Sequence, residues 1–240
     1  MRRWIRAAAL AALTACGLMF AVSASAQQTD RPMRIGIIGT GNIGGALARH
    51  WVAAGHEVLM SSRHPEELEP LATELGPSAR AGTVAEAAAF GDVILVSVPY
   101  AAVPQIGEEH ADALRGKIVL DTSNPVERRD GPMALEAQRK GAGPASAELL
   151  AGTRVVRAFN CIPAATLRNE ANRMPERIAI PIAGDDAEAL EVAERLVRDA
   201  GFDPVVIGGL EDSRLFDLGG PLASGAWTAA EMRERAAALR

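Results

Sequence analysis

A glycine-rich segment near the start of the chain has the spacing that binds dinucleotide phosphates. It is Gly39-Thr40-Gly41-Asn42-Ile43-Gly44, with the pattern Gly-x-Gly-x-x-Gly. The first glycine of this pattern permits a tight turn, the second lets the backbone approach a pyrophosphate, and the third lets a helix pack closely on a strand. Free N–H groups and the positive end of the helix dipole then hold the phosphates. The segment therefore predicts a dinucleotide-binding loop.

The residues around this loop make the prediction more specific, since glycine alone is common here, at 23 of 240 residues. Before the loop, Met33–Ile38 is a short run with β-branched residues, which is typical of a buried strand. After the loop, apolar residues follow at helical spacing, at Ile43, Leu47, Trp51 and Ala54. A strand, a glycine loop and a helix in this order favour a dinucleotide site over a chance match.

The end of the second predicted strand indicates which dinucleotide binds. The strand Glu57–Met60 is followed by Ser61, Ser62, Arg63 and His64, with no carboxylate before Glu66. A site selective for NAD places Asp or Glu there to bind the ribose 2′-hydroxyl. A hydroxyl and a guanidinium suit a 2′-phosphate, and one charge-assisted contact contributes about 1.5–3 kcal/mol, or about ten- to a hundred-fold in affinity. Ser62 and Arg63 therefore predict NADP; the alternative is that Arg63 is an ordinary solvated residue in a turn.

Strand and helix patterns alternate along the chain, which predicts the fold. This alternation favours an α/β domain with a doubly wound, mostly parallel Rossmann sheet over residues 33–220, followed by a helical tail over residues 221–240. Ligands of such sheets bind outside the carboxyl ends of the strands. The predicted strand ends are Gly39–Gly44, Ser62–His64, Val98–Tyr100, Thr122–Pro125, Asn160–Pro163 and Gly184.

Three further segments carry local predictions. Arg128–Gly143 is rich in glycine and charge, which favours an excursion or lid over the sheet edge. Asp185 and Glu188 have the spacing of a capping box and predict the start of a helix. Thr228 and Glu231 have the same spacing and predict a terminal helix.

The first 26 residues resemble a bacterial signal peptide. Met1–Arg6 is basic, Ala7–Val22 is apolar, and Ala24-Ser25-Ala26 is a small-x-small cleavage site before Gln27. The apolar run is shorter than the ~20 residues that span a bilayer, which favours cleavage over anchoring. We therefore expect an exported, periplasmic protein. Arg2-Arg3 leaves twin-arginine export open as an alternative to the general secretory route, and Leu13–Cys16 leaves a lipoprotein anchor open.

Charge and cysteine content exclude several classes of function. The chain has 25 Lys and Arg against 30 Asp and Glu, a net charge of −5. Loss of the leader would remove three arginines and leave 22 against 30, or −8. This charge argues against nucleic acid and anionic membranes as partners. Cys161 would be the one remaining cysteine, so no intramolecular disulfide is expected, and no metal-ligand spacing is present.

Several separated motifs together resemble one known family. They are Gly36–Gly44, Ser61–Arg63, Val98-Pro99, Asp121–Pro125, Val155–Asn160, Gly201–Val205 and Gly209-Leu210. In this order they are similar to the NADPH-dependent deazaflavin (coenzyme F-420) reductases, and also to the cytosolic domain of six-transmembrane metalloreductases. The resemblance covers about residues 33–220. The N-terminal part is similar, less specifically, to pyrroline-5-carboxylate reductases.

The resemblance implies hydride transfer between NADPH and a flavin or deazaflavin, in a homodimer. It implies that Thr40, Asn42 and Ile43 line the pyrophosphate and that Ser62 and Arg63 hold the 2′-phosphate, with His64 facing the adenosine phosphate. It also implies positions near the ribose for Val98 and Pro99, and near the nicotinamide for Asn124 and Asn160. The pair Asn160-Cys161 replaces the His-Thr expected of archaeal deazaflavin reductases, which brings the flavin-using metalloreductase type into consideration.

The remaining side chains offer little acid–base chemistry. Hydride transfer between two rings needs positioning and little proton transfer, whereas reduction of a ketone or imine needs a proton donor. Tyr100 and His64 are weak candidates for that donor, and Cys161 is expected to be a small buried thiol. The other histidines, His50, His56 and His110, are expected at the surface.

Two other functions remain open. A non-catalytic NADP-binding redox sensor or partner module would fit both the leader and the missing acid. An imine or pyrroline-5-carboxylate reductase would call for a longer helical C-terminal domain than residues 221–240 provide.

Overall fold

The computed structural model describes residues 31–240 and contains one eight-stranded sheet within them. The predicted signal peptide, with its twin-arginine and lipoprotein alternatives, lies outside these residues. The strands are β1 (Arg34–Ile38), β2 (Glu57–Ser61), β3 (Ala79–Gly82), β4 (Val93–Val96), β5 (Ile118–Asp121), β6 (Arg154–Arg157), β7 (Ala179–Gly184) and β8 (Asp203–Gly208). Their spatial order is β3-β2-β1-β4-β5-β6-β7-β8, and β1 to β6 are parallel. The predicted α/β class with a mostly parallel Rossmann sheet is confirmed.

Helices connect the strands. They are α1 (Asn42–Ala53), α2 (Glu69–Leu75), α3 (Val84–Phe90), α4 (Val103–Glu109), α5 (Ala111–Leu114), α6 (Glu127–Asp130), α7 (Pro132–Lys140), α8 (Ala142–Leu149), α9 (Ala164–Asn169), α10 (Ala187–Asp199) and α11 (Ala229–Ala238). Short 3₁₀ helices span Pro65–Leu68, Tyr100–Ala102 and Leu210–Leu215.

Apolar side chains cover both faces of the sheet. Strands β4 and β5 are buried along their whole length, as expected for parallel strands with helices on either side. One face packs against α1 and α10, where the Trp51 indole N–H donates to the Leu196 carbonyl at 2.9 Å. The other face packs against α4 through Val103 and Ile106. This double covering holds the carboxyl ends of β1, β4, β5 and β6 at one edge of the sheet.

The direction of β7 differs from the prediction. It pairs antiparallel with β6, with Val156 opposite Gly184. Gly184 therefore lies within the ladder of β6 and is not the carboxyl end of a parallel strand, so the expectation that it joins those ends in the cofactor crevice is wrong. The physical reason is that α9 packs against α1, and the chain enters β7 from the carboxyl edge of β6. An apolar strand pattern does not encode which way the strand runs.

Local predictions met mixed outcomes. Arg128–Gly143 is mostly helical, because Ala134 and Ala137 of α7 bury one helix face. The cap of α10 is Asp186, whose carboxylate accepts from the Ala189 amide at 2.8 Å, so the predicted cap at Asp185 is wrong by one residue. The capping box of Thr228 and Glu231 at α11 is confirmed.

The surface position expected of His56 is also wrong. Its side chain is buried, and its Nδ1 accepts from the Met33 amide at 3.0 Å while Nε2 lies 2.9 Å from Asp199. These two bonds tie the start of β1 to the last turn of α10, so His56 has a structural role.

Candidate functional site

The glycine loop has the geometry that each glycine was predicted to provide. Gly39 has a φ of +96°, and a Cβ there would lie 2.4 Å from the Ser97 carbonyl oxygen. A Cβ on Gly44 would lie 2.4 Å from the Gly39 carbonyl oxygen, so α1 packs against the loop only without a side chain. Gly41 is exposed, and a Cβ there would meet nothing within 4 Å. The open side of the loop is therefore at Gly41.

Hydrogen-bond donors at this loop are free to bind an anion. Gly41 is the N-cap of α1, and no side chain caps that end of the helix. The hydroxyl of Thr40 is buried and has no hydrogen-bond partner within residues 31–240. Buried hydroxyls are nearly always paired in folded proteins, so one without a partner beside an uncapped helix N-terminus marks a ligand position.

The end of β2 is tied directly to this loop. The Ser61 carbonyl accepts from the amides of Gly39 at 3.2 Å and Thr40 at 2.9 Å. The next residues, Ser62–His64, are thereby held beside the loop. Ser62 Oγ accepts from the His64 amide at 3.0 Å, which forms a tight turn.

Arg63 points its charge to solvent at this turn. It is exposed and forms no ion pair or hydrogen bond with the part of the chain that the structure describes. His64 Nδ1 lies 3.4 Å from the Glu66 carboxylate, so a carboxylate approaches His64 and leaves Arg63 free. The turn Ser62–His64 therefore follows directly on the residue that is bonded to the glycine loop, and its binding of the 2′-phosphate stays a prediction.

The end of β4 forms a wall of the same crevice. A Cβ on Gly39 would lie 2.6 Å from Val98 Cγ1, so Val98 packs directly on the loop. The Ser97 amide donates to the Ile38 carbonyl at 2.8 Å. Pro99 follows and is exposed. Val98 and Pro99 therefore lie next to the glycine loop, and their contact with the ribose stays a prediction.

A buried carboxylate that the sequence reasoning missed joins the wall at β4 to the loop after β5. Asp130 accepts from the Val126 amide at 2.8 Å and the Ala101 amide at 3.2 Å, and Arg129 covers it. Burial alone would raise the pKa of Asp130, but the hydrogen bonds from Arg129, Val126 and Ala101 outweigh it and hold that pKa below its ordinary value. Asp130 therefore stays charged and fixes the distance between these two strand ends.

The two predicted asparagines lie together, yet they differ in what their amides do. Asn124 Nδ2 donates to the Asn160 carbonyl at 2.6 Å, and its Oδ1 lies 3.4 Å from Arg157 Nη2. Both ends of Asn124 are therefore engaged within the protein. Asn160 is buried, its Nδ2 donates to the Phe216 carbonyl at 3.2 Å, and its Oδ1 is buried without a partner in residues 31–240.

A buried ion cluster lies beneath the asparagines and was not predicted. Arg157 is fully buried, 2.7 Å from Asp121 and 2.9 Å from Asp217, and it also donates to the Ser123 carbonyl at 2.6 Å. Burial would lower the pKa of Arg157, but the two carboxylates outweigh it and raise that pKa. The sequence contained one signal for it, a charged residue within the apolar run Val155–Phe159.

Two other candidates are poor proton donors or nucleophiles. Burial raises the pKa of Tyr100 to about 12, and the Tyr100 hydroxyl has no hydrogen bond within the described chain. Burial likewise raises the pKa of Cys161 to about 12. Neither group ionises near neutral pH, but Cys161 is half-buried where a buried thiol was expected.

Residues 31–240 contain neither a cluster of metal ligands nor a helix that could span a membrane. No three His, Cys, Asp or Glu side chains there lie close enough to hold a metal ion. Within the same residues, no helix combines the length and the apolar character needed to cross a bilayer.

The chain is similar to known NADP oxidoreductases. Residues 34–125 match the family model described as NADP oxidoreductase coenzyme F420-dependent. The F420-dependent NADP reductase of Methanothermobacter thermautotrophicus is 31% identical over 204 residues, which cover 79% of this chain and 87% of that protein. The chain belongs to this family. The predictions of that family and of an NADP-dependent oxidoreductase are thereby confirmed.

This NADP-dependent oxidoreductase is also similar to proteins with other names. Metalloreductase STEAP3 of Rattus norvegicus is 32% identical over 187 residues, which cover 75% of this chain and 35% of that protein. Among solved structures, a hypothetical protein from Sinorhizobium meliloti has a TM-score of 0.72 and 28% identity, with 82% of this chain and 96% of that chain covered. A pyrroline-5-carboxylate reductase from Coxiella burnetii shares the fold, with a TM-score of 0.57, 18% identity, and 80% and 66% of the two chains covered.

Proposed function

We propose that this oxidoreductase transfers hydride between NADPH and a flavin or deazaflavin acceptor, and that the crevice along Gly39–Gly44, Ser62–His64, Val98 and Asn160 is its site. One observation carries the proposal. An uncapped helix N-terminus and the unpaired Thr40 hydroxyl belong to a loop that is bonded to the Ser61 carbonyl, and Ser61 leads directly into the turn with the exposed Arg63. These groups match the pyrophosphate and the 2′-phosphate of NADP.

Each segment of the crevice would bind a different part of NADP. The backbone at Gly41, Asn42 and Ile43, together with the Thr40 hydroxyl, would hold the pyrophosphate, because no protein group occupies these donors. Ser62 and Arg63 would hold the 2′-phosphate, with His64 facing the same group. Val98 and Pro99 would pack on the ribose, and Asn160 would lie at the nicotinamide.

The groups around the crevice favour transfer to a ring over reduction of a carbonyl. The nicotinamide of NADPH supplies the hydride, so the protein has to orient and shield the two reactants. Tyr100 and Cys161 keep their protons at neutral pH, and pKa values of about 12 make both of them weak general acids. A ring acceptor fits this lack of an acid better than an imine or a ketone does.

We infer the class of acceptor from two kinds of relatives, and we infer its position from one cavity. F420-dependent NADP reductases of 30–31% identity favour a deazaflavin, while the likeness to Metalloreductase STEAP3 keeps a flavin in consideration. A cavity of about 270 Å³ is lined by Pro125, which follows Asn124, and by Asp217, which contacts Asn160. Its other lining residues are Gln138, Gly141, Ala142, Arg214 and Leu218–Gly220. Its closeness to Asn124 and Asn160 makes it our candidate for the acceptor.

The experiment is an acceptor panel with the purified protein. NADPH is mixed in turn with FMN, FAD and F420, and the nicotinamide absorbance is followed with and without protein. We expect protein-dependent oxidation with at least one of the three. Tight NADPH binding without oxidation by any of them would contradict the proposal and favour a non-catalytic NADP-binding module.

A further inference from the structure

The backbone turns sharply where β6 ends. Phe159 has a φ of +57°, which is unusual for a bulky residue, and its buried ring packs edge-on against Trp51 with centroids 6.3 Å apart. Left-handed backbone at a non-glycine residue persists only where the surroundings enforce it, and it is concentrated at functional sites. This turn places Asn160 at the carboxyl edge of the sheet.

The Asn160 amide has a defined orientation. Its two neighbours on one side are the Phe216 carbonyl at 3.2 Å and the Asp217 carboxylate at 3.4 Å. Both neighbours are acceptors only, so the amide nitrogen has to face them. The oxygen Oδ1 therefore faces the other way, where it is buried and receives no hydrogen bond from residues 31–240.

Asp217 is held by donors from three elements besides Asn160. Its carboxylate accepts from Arg157 Nη2 and from Ser213 Oγ, each at 2.9 Å, and from the Ala142 amide at 3.2 Å. A carboxylate with this many fixed donors cannot rotate without breaking several bonds. Asp217 therefore holds the amide nitrogen of Asn160 on its own side and keeps the amide from flipping.

We propose that Asp217 is a positioning residue that aims Asn160 Oδ1 at an N–H donor of the bound dinucleotide, the carboxamide of the nicotinamide ring. The proposal rests on the proposed function, since it assumes that the nicotinamide lies at Asn160. An acceptor that the protein leaves unpaired selects for a ligand that supplies the missing donor, and it selects against an analogue without that donor. Asn124 cannot take this part, because both ends of its amide are engaged within the protein.

The test compares two dinucleotides that differ only at this group. Calorimetry without any acceptor gives the Kd of NADP⁺ and of its 3-acetylpyridine analogue, in which an acetyl group replaces the carboxamide and removes its N–H. We expect the wild-type protein to prefer NADP⁺ by about ten-fold, the value of one hydrogen bond. In Asn160→Ala and in Asp217→Ala, the preference should fall to about one.

Arg63→Ala is the matched control. It should weaken both dinucleotides by the same factor and keep the preference, because both carry the 2′-phosphate. If Asp217 had only a structural role, Asp217→Ala would likewise weaken the binding of both dinucleotides equally.

A melting curve identifies a variant that does not fold. In that event a crystal structure of the wild-type NADP⁺ complex decides, and we expect Asn160 Oδ1 within hydrogen-bond distance of the carboxamide nitrogen.

The outcomes separate the two proposals. A wild-type protein that binds both dinucleotides equally well would overturn the role of Asp217 and Asn160 and leave the proposed function standing. An undiminished preference in Asp217→Ala would overturn the role of Asp217. A protein that binds neither dinucleotide would overturn the proposed function and this inference with it.

Discussion

The carbonyl oxygen of Ser61 accepts a hydrogen bond from the Thr40 amide at 2.9 Å, which joins the end of β2 to the glycine loop. The two segments are 21 residues apart in sequence, but this bond and the one from Gly39 make them a single surface. The loop and the turn that we propose to bind the pyrophosphate and the 2′-phosphate are thereby held at a fixed separation. In this proposal, selectivity for NADP depends on the residues that follow Ser61.

The first prediction concerns Arg63. Replacement by alanine should weaken NADPH binding by about ten- to a hundred-fold, the value of a charge-assisted contact, and leave NADH binding nearly unchanged. Calorimetric titration with the two dinucleotides measures this directly. Arg128→Ala is the control, because Arg128 is also exposed but lies on α6, away from β2. Equal losses for NADPH and NADH would show that Arg63 does not bind the 2′-phosphate.

The second prediction separates two glycines of the same loop. In Gly41→Ala the new Cβ meets nothing within 4 Å, so the melting temperature should hardly change while NADPH binding is lost, because the methyl group occupies the space of the pyrophosphate. In Gly44→Ala the Cβ would lie 2.4 Å from the Gly39 carbonyl oxygen, and the free energy of unfolding should fall by about 1–3 kcal/mol. Thermal melting and dinucleotide titration on both variants give the result. Intact NADPH binding by Gly41→Ala would contradict the position of the pyrophosphate.

The third prediction concerns the leader. Export with cleavage after Ala26 would give a mature chain that begins at Gln27. N-terminal sequencing of the protein from its native host measures this, and Ala26→Asp is expected to block cleavage by removing the small residue at the cleavage site. An intact Met1 in the native protein would contradict export by a cleaved signal. A lipid-modified Cys16 at the mature N-terminus would show the lipoprotein alternative.

The sequence was most informative where the chemistry is local. The strand β1, the glycine loop and the start of α1 follow each other directly, so periodicity and glycine spacing were enough to predict them. The turn Ser62–His64 was predictable because a strand end leads straight into it. Nothing in these patterns depends on a distant segment.

The sequence was least informative where distant segments meet. Arg157 and Asp217 are 60 residues apart and belong to different elements, so no local pattern links them. The direction of β7 depends on where α9 packs, and the bonds of Asp130 reach back 29 residues to Ala101. Buried charges of this kind are stable only with their partners, and those partners are known only once the fold is known.

The last prediction concerns Asp130 and pH. The hydrogen bonds from Arg129, Val126 and Ala101 hold the pKa of Asp130 below its unfolded value of about 3.9, so the charged form stabilises the folded protein. This contribution is fully present above the unfolded pKa and is lost as the pH falls through the lower, folded pKa. Asp130→Asn, which places an amide nitrogen against backbone donors, should therefore reduce the free energy of unfolding by about 1–3 kcal/mol at neutral pH.

The difference between wild type and Asp130→Asn should shrink below about pH 4, as the wild-type carboxylate takes up its proton. Urea denaturation at a series of pH values measures it. Asp112→Asn is the matched control, since Asp112 is an exposed carboxylate with only a surface pair to Arg115, and its effect should stay within about 0.5 kcal/mol at every pH. A wild-type advantage that is constant from neutral pH to pH 3 would show that the charge of Asp130 does not hold the two strand ends together.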